Sequence, residues 1–445
     1  MPKLSMKKFL KLMPEEYREA YENGWIHNYT VEIPEVRDQF NFAAGIILSD
    51  TTCRDGEQQP GVIFTPEQKL EIVTMLGEIG VTLIEIGYPG VSEDEVKACK
   101  MITENAPKAI CFVMSRANKR DIDAALKADA KALDLFTSCS EFHIRTKLGL
   151  TPESNIEMYL EMLDYAIDHG FKIVFGMEDI SRSNLDYYAD IITKAKTRAG
   201  QNWAGTGISD TTGIFTPRSA QWFYLEAKKK LAERGEPDLA LGMHFHNDHG
   251  LAVANSLACL EVGCGAVQGT VLGIGERCGN TPIEEVLVAL RTLYGIKLRI
   301  KYDKLQELCE MVSKYAGIPI PVNKPIVGMN AFRHESGIHA HGVLSHPHIY
   351  EMIPHDLLGR KSEYAFGKFS GQAVVLEECL RPHGIEPNKD QLLEITLKVK
   401  AKHEAREREN QKKKVDFVEY YQKTIRNMTL SMEEVIEIAN EVMNK

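Results

Sequence analysis

Apolar and polar positions fall into two alternating patterns over most of the chain. Short β-rich apolar runs lie at 45–49, 82–86, 109–114, 132–137, 172–175, 205–209, 239–246 and 266–271. Between them come stretches with helical periodicity, among them 66–79, 92–105, 152–168, 185–199 and 218–234, with 282–294 closing the series. Thr65 followed by Pro66 has the form of a helix N-cap with proline in the first turn. Eight strand–helix units in this span predict a (β/α)8 TIM barrel, with a doubly wound open sheet as the second choice. A barrel carries its chemistry at the C-terminal ends of its strands, in the loops that follow them.

The pattern changes outside this block, and four segments result. Residues 1–43 form a polar, aromatic-rich extension in which 7–23 reads as one amphipathic helix. Residues 44–298 are the barrel. Residues 299–385 form a linker subdomain with a helix over 302–316 and five histidines between 334 and 348. Imidazole titrates near neutrality, so such a group suggests proton chemistry or metal binding. Residues 386–445 are helical and highly charged, which reads as a solvated helix face.

Polar residues cluster at the predicted strand exits. The first strand leads into Asp50, Arg54, Asp55 and Gln58; the second into Glu85 and Tyr88; the fourth into Ser140 and His143. The fifth leads into Glu178, Asp179 and Arg182, and the sixth into Asp210, Thr211 and Thr212. Carboxylates and an arginine this dense cannot be buried unpaired, so they face a cation, a ligand or water. Alone, the first cluster would be a solvated loop. On the seventh strand, His244 and His246 are two residues apart and point to one face, a two-nitrogen platform that one carboxylate would complete for a divalent metal. The glycines of the 273–279 loop lack dinucleotide-fingerprint spacing. They suit a tight loop that lets the backbone approach a ligand, with the Asn280 amide oxygen open to a hard metal.

Composition narrows the class. The 445 residues, 44% hydrophobic and 26% charged, are those of a soluble globular protein with more than one core. A net charge of −10 without a basic patch argues against nucleic-acid binding. Nine cysteines without a CxxC pair suggest reduced thiols and a cytoplasmic setting. No apolar run reaches the ~20 residues a membrane span needs, and residues 1–13 do not read as a signal peptide.

Five motifs in order, Asp50-Thr-Thr-Cys-Arg-Asp-Gly-Glu-Gln, Glu178-Asp179, His244-x-His246-Asn-Asp, Gly273-x-Gly-Glu-Arg-x-Gly-Asn280 and Ser336-Gly-Ile-His339, resemble the family of 2-isopropylmalate, homocitrate, citramalate and Re-type citrate synthases. The resemblance runs from about 46 to 371, and Cys53 departs from the usual leucine. It implies condensation of acetyl-CoA with a 2-oxo acid and then thioester hydrolysis. The ligands of a divalent metal would be Asp55, His244, His246 and Asn280, with Mn2+ expected ahead of Mg2+, Co2+ or Zn2+. Arg54 would stabilise the developing oxyanion, His339 would act as base or proton shuttle, Glu178 would orient it and Tyr350 would assist. Gln58, Ser140, Arg145 and Thr211 would contact or support the substrate. The resemblance also implies a homodimer in which His339 and Tyr350 come from the neighbouring subunit.

Two departures bear on substrate. With 445 as the last residue, no leucine-responsive regulatory domain is expected, and Val174 stands where homocitrate synthases resemble one another in having an arginine. Arg145 and Arg182 are candidates for binding the far carboxylate of a smaller oxo diacid. The resulting expectation is oxaloacetate and Re-type citrate synthesis, ahead of homocitrate, 2-isopropylmalate and citramalate synthesis. Two rivals belong to other classes. A hydroxymethylglutaryl-type acyl-CoA lyase would rely on a cysteine in the eighth-strand loop; Cys278 is present there, in surroundings that resemble the synthases. A metal-binding barrel without catalysis would lack Arg54, Glu178 or His339, and all three are present.

Overall fold

The computed structural model describes residues 4–105 and 108–443. Eight parallel strands close into one barrel in sequence order: β1 (Ile47–Asp50), β2 (Leu83–Glu85), β3 (Ile110–Arg116), β4 (Ala132–Ser138), β5 (Lys172–Glu178), β6 (Trp203–Asp210), β7 (Gly242–Phe245) and β8 (Ala266–Gly269). Closure is made by the β1 and β8 pairing, which aligns Asp50 with Gly269. The expected TIM barrel is therefore the observed one, and the open sheet is set aside. β7 begins three residues after its apolar run does, and β8 ends two residues before its run, where the chain turns into the site loop at Thr270.

Strand alternation divides the side chains. In β4 and β5, Leu133, Leu135, Ile173 and Phe175 are fully buried. The Phe175 ring meets Tyr159 of the Pro152–Asp168 helix edge-on at 4.7 Å, so this set faces the helical layer. The intervening residues, including Asp134, Phe136, Gly176 and Glu178, face the barrel interior. The helices Pro66–Ile79, Pro152–Asp168 and Pro217–Glu233 share one start: a threonine N-cap in a capping box, followed by proline. A cap of this kind stabilises a helix by about 1 kcal/mol, and here it fixes where each rim loop ends.

The amphipathic pattern over 7–23 resolves into two helices, Met6–Leu10 and Glu15–Glu22, instead of one. Pro14 lacks the N–H needed to continue the first and serves as N-cap of the second. Phe9, Tyr17 and Tyr21 are buried, so the aromatics of this segment do dock.

The chain divides into two compact units. The first holds the barrel and runs to Pro319, including the Leu305–Ala316 helix. The second, Pro60–Val62 with Ile320–Lys445, contains a two-stranded parallel pairing of Arg333–His334 with Glu363–Tyr364, the Gly337–Ser345 helix, a 38-residue helix Lys389–Arg426 and a final helix Met432–Met443.

Candidate active site

The first strand ends in a buried carboxylate network. Asp50 is fully buried and accepts from the Thr52 N–H at 2.8 Å and the Thr52 hydroxyl at 2.7 Å, which turns the chain sharply after β1. Burial pushes its pKa up to about 7 despite those two bonds. The turn aims Arg54 and Asp55 into the mouth of the barrel. The Arg54 guanidinium is 2.9 Å from Glu85 Oε2 and 3.5 Å from Asp55 Oδ2, and Thr51 donates to Glu85 at 2.7 Å. Burial disfavours the guanidinium charge, but Glu85 and Asp55 outweigh it, so Arg54 remains charged.

Asp55 meets the two histidines of β7. Its Oδ2 is 3.3 Å from His244 Nε2 and 3.8 Å from His246 Nε2, and one ligand atom from each of the three residues lies within 4.8 Å of the others. Burial opposes the Asp55 charge, yet Arg54 and His244 hold its carboxyl below the usual carboxylate range. Burial, followed by the neighbouring His244, lowers His246 to about 4. An ionised carboxylate beside a neutral imidazole is the donor set a divalent metal requires.

Asn280 joins this set through the loop after β8. Asn247 N–H donates to the Gly279 carbonyl and Thr281 N–H to the Phe245 carbonyl, stitching the loop to the end of β7. Its glycines are sterically required: a Cβ at Gly279 would lie 1.9 Å from the Gly273 carbonyl oxygen, and one at Gly275 would lie 2.2 Å from Asn280 Nδ2. Both have positive φ, at +84° and +151°. Asn280 is fully buried, its Nδ2 donates to the Ile274 carbonyl, and its Oδ1 has no protein partner. A buried acceptor left without a donor beside Asp55, His244 and His246 fits a cation, so the residues present suit the metal that the sequence implies. Asp179 and Arg277, on the loops after β5 and β8, adopt left-handed backbone conformations at φ +60° and +56°. Such strain in non-glycine residues concentrates at functional sites.

A pocket of about 230 Å³ opens over this cluster. Arg54, Asp55, Gln58, Glu178, Thr211, His244 and His246 line it, so seven of the twelve sequence-predicted site residues converge there, and Asn280 lies buried behind. Glu178 pairs with Lys147 at 2.5 Å. Thr211 accepts from the Asp179 N–H at 2.8 Å. Ser140 is buried, donates to Asp179 at 2.5 Å and caps the Glu141–Thr146 helix, so it is a support and not a lining residue. Arg145 turns to Glu141 at the surface, and Arg182 is held by both Asp179 oxygens. Neither arginine lines the pocket. His339 and Tyr350 belong to the second unit, where their rings lie 4.1 Å apart, close enough to act as a pair.

The interior supplies residues that sequence reasoning did not select. Met114, Asp134, Phe136, Gly176 and Gln268 also line the pocket, together with Glu276 and Arg277 of the motif after β8. Asp134 Oδ1 is closed to solvent without a partner, and burial followed by Glu85 raises its carboxyl to about 8. A Cβ at Gly176 would stand 2.0 Å from that oxygen. The available signal was an aspartate inside the apolar run Ala-Leu-Asp-Leu-Phe.

Comparison with known proteins agrees with this geometry. The HMGL-like family pattern matches residues 45–312, and the pattern described as homocitrate synthase post-HMGL domain-like matches 326–407. A 2-isopropylmalate synthase of Methanocaldococcus jannaschii is 40% identical over 374 residues, covering 83% of this chain and 70% of that protein. A homocitrate synthase of Methanopyrus kandleri is 39% identical over 374 residues, covering 83% and 92%. Among solved structures, the hydroxymethylglutaryl-CoA lyase of Pseudomonas aeruginosa superposes with a TM-score of 0.55 at 20% identity, covering 62% of this chain and 95% of the lyase, a likeness of fold alone. Family patterns over both regions and relatives of this identity place the chain in the HMGL-like family, in its branch of 2-isopropylmalate, homocitrate and citramalate synthases.

Proposed function

We propose that the protein is a transferase that condenses acetyl-CoA with a 2-oxo acid and hydrolyses the resulting thioester, releasing CoA and a 2-hydroxy acid. The observation that carries this reading is the buried Asp55–His244–His246 set, with the unpartnered Asn280 oxygen behind it and Arg54 beside it. A divalent cation held by these four residues, Mn2+ by expectation, would supply Lewis-acid polarisation of a keto oxygen. The remaining chemistry belongs to the side chains. Arg54, braced by Glu85, stabilises negative charge as the keto oxygen becomes an alkoxide. The acetyl methyl is far less acidic than a side-chain base at neutral pH is basic, so deprotonation depends on tight positioning of both. His339 takes that proton in this reading, paired with Tyr350, and Glu178 at the rim orients it. Gln58 and Thr211 flank the substrate.

The protein acts as a homodimer in this proposal, with His339 and Tyr350 supplied to the neighbouring subunit's site. The final helix supports association: Met432, Val435, Ile436, Val442 and Met443 on it are all exposed. Among the described residues, no helix is long and apolar enough to cross a membrane.

Oxaloacetate is the proposed oxo acid, with Re-type citrate as product. Relatives named for isopropylmalate, homocitrate and citramalate synthesis stand at nearly equal identity, so pocket chemistry carries the choice. The pocket is small, and Asp134, raised to about 8, is a hydrogen-bond donor at neutral pH. A short diacid places its far carboxylate against such a donor, whereas a branched apolar tail leaves it unpaired. The test is chelator-stripped protein assayed for acetyl-CoA-dependent thiol release with each oxo acid, followed by stereochemical analysis of any citrate formed.

A further inference from the structure

A second cavity lies at the opposite end of the barrel from the site above. It occupies about 570 Å³ at the N-terminal ends of the strands, where the N-terminal extension and the segment after the last barrel helix meet the start of β1. Cavities of roughly 300–1,000 Å³ hold small organic ligands. Its walls are apolar: Leu4, Leu12, Ile47, Leu298 and Ile300 contribute, and Ile47, the first residue of β1, is 45% exposed. Its charged lining is of one sign. Lys8, Lys11, Lys297 and Arg299 face it, and among the described residues the lining contains no aspartate or glutamate. In a chain with 63 acidic residues against 53 basic ones, a cavity walled by four cations and no carboxylate is an unusual local inversion. Among the described residues, Lys11, Lys297 and Arg299 form no ion pair.

We propose that this cavity is a second binding site, separate from the catalytic one, for an aliphatic monocarboxylate. The apolar wall takes the hydrocarbon chain, and the cationic rim takes the carboxylate through charge-assisted hydrogen bonds. The one-signed lining selects against amino acids, because an ammonium would have no carboxylate to meet and would be repelled by four cations. It selects against neutral alcohols by leaving Lys11, Lys297 and Arg299 without an anion. The site does not depend on the reaction assigned above.

The test uses the full chain and isothermal titration with sodium octanoate as probe, alongside octanol and octylammonium. One saturable octanoate site is expected, with octanol and octylammonium each weaker by about tenfold or more, as loss of a charge-assisted contact implies. The variant K11Q/K297Q/R299Q changes three side chains with exposed positions and should weaken octanoate by a similar factor. Ile47→Trp, which fills the apolar wall, should do the same while leaving the circular dichroism spectrum unchanged. The proposal is overturned if octanoate fails to bind at low-millimolar concentration, if octanol binds equally well, or if the glutamine variant binds octanoate as the parent does.

Discussion

Lys69 offers a quantitative test of how the turn that carries Arg54 and Asp55 is held. It is fully buried in the Pro66–Ile79 helix, with Nζ 2.6 Å from Glu57 Oε2 and 2.6 Å from Glu95 Oε2. Glu57 follows Asp55 by two residues and accepts from the Phe64 N–H at 2.7 Å, while Glu95 accepts from the Tyr88 N–H at 2.8 Å. One ammonium thus ties the turn after β1 to the loop after β2. Burial disfavours the ammonium, but Glu95 and Glu57 outweigh it and raise the Lys69 pKa. In Lys69→Met the volume is nearly kept, so the cavity contribution is small. What is lost is the cation between two largely buried carboxylates, and breaking a buried ion pair in this way costs about 3–5 kcal/mol. Urea unfolding followed by circular dichroism measures the loss. The sign with pH is fixed. Burial, partly offset by Lys69, raises Glu57 above its unfolded value, and removing the ammonium raises it further. A group that binds protons more tightly when folded loses stability as pH rises through that interval, so the deficit of Lys69→Met shrinks toward pH 5. Lys69→Met/Glu57→Gln/Glu95→Gln should recover more than half of it. A loss below about 1 kcal/mol, the scale of an exposed pair, or a deficit that does not fall with pH, would refute the reasoning.

Other predictions follow the same geometry. Arg54→Lys should lower kcat by about 10²–10³ with little change in unfolding midpoint, because lysine cannot span Glu85 and the developing oxyanion together; steady-state kinetics with a urea control checks this. Added Mn2+ at a hundredfold excess over its Kd should stabilise the chelated protein by about 2.7 kcal/mol, and His244→Ala should abolish the gain in a thermal melt. In chelated protein, Asp134→Asn should become more stabilising relative to the parent as pH rises from 4 to 8, because over that range the unfolded parent ionises this carboxyl while the folded parent, with the group raised to about 8, still holds the proton; urea midpoints across that range measure it. Gly176→Ala places a methyl 2.0 Å from Asp134 Oδ1 and should cost about 1–3 kcal/mol through forced rearrangement.

Much of this was legible in the chain, for identifiable reasons. Parallel strands buried on both faces leave continuous apolar runs, and the rim is where polar groups follow them, so the barrel and the Asp55, His244 and His246 set are readable from local pattern. Asn280 is readable because glycines 273, 275 and 279 mark a loop too tight for side chains. Asp134, Gly176 and Gln268 escaped selection because inward and outward faces of a doubly covered strand look alike until the barrel closes. Arg145 lies on the helix after β4, and its side chain turns back to Glu141 on the same helix turn, a pairing that its position near a rim loop does not reveal.

The most direct measurement of the central claim is acetyl-CoA-dependent thiol release by chelator-stripped protein, with and without Mn2+, Mg2+, Co2+ or Zn2+, against oxaloacetate, 2-oxoglutarate, pyruvate and 2-oxoisovalerate. The account predicts a metal-dependent rate with a single strongly preferred oxo acid, oxaloacetate, and its loss in His244→Ala. A different preferred oxo acid would keep the condensation and replace the proposed substrate. Silence across all four acids and all four metals, from protein that is folded and binds metal, would contradict the condensation itself.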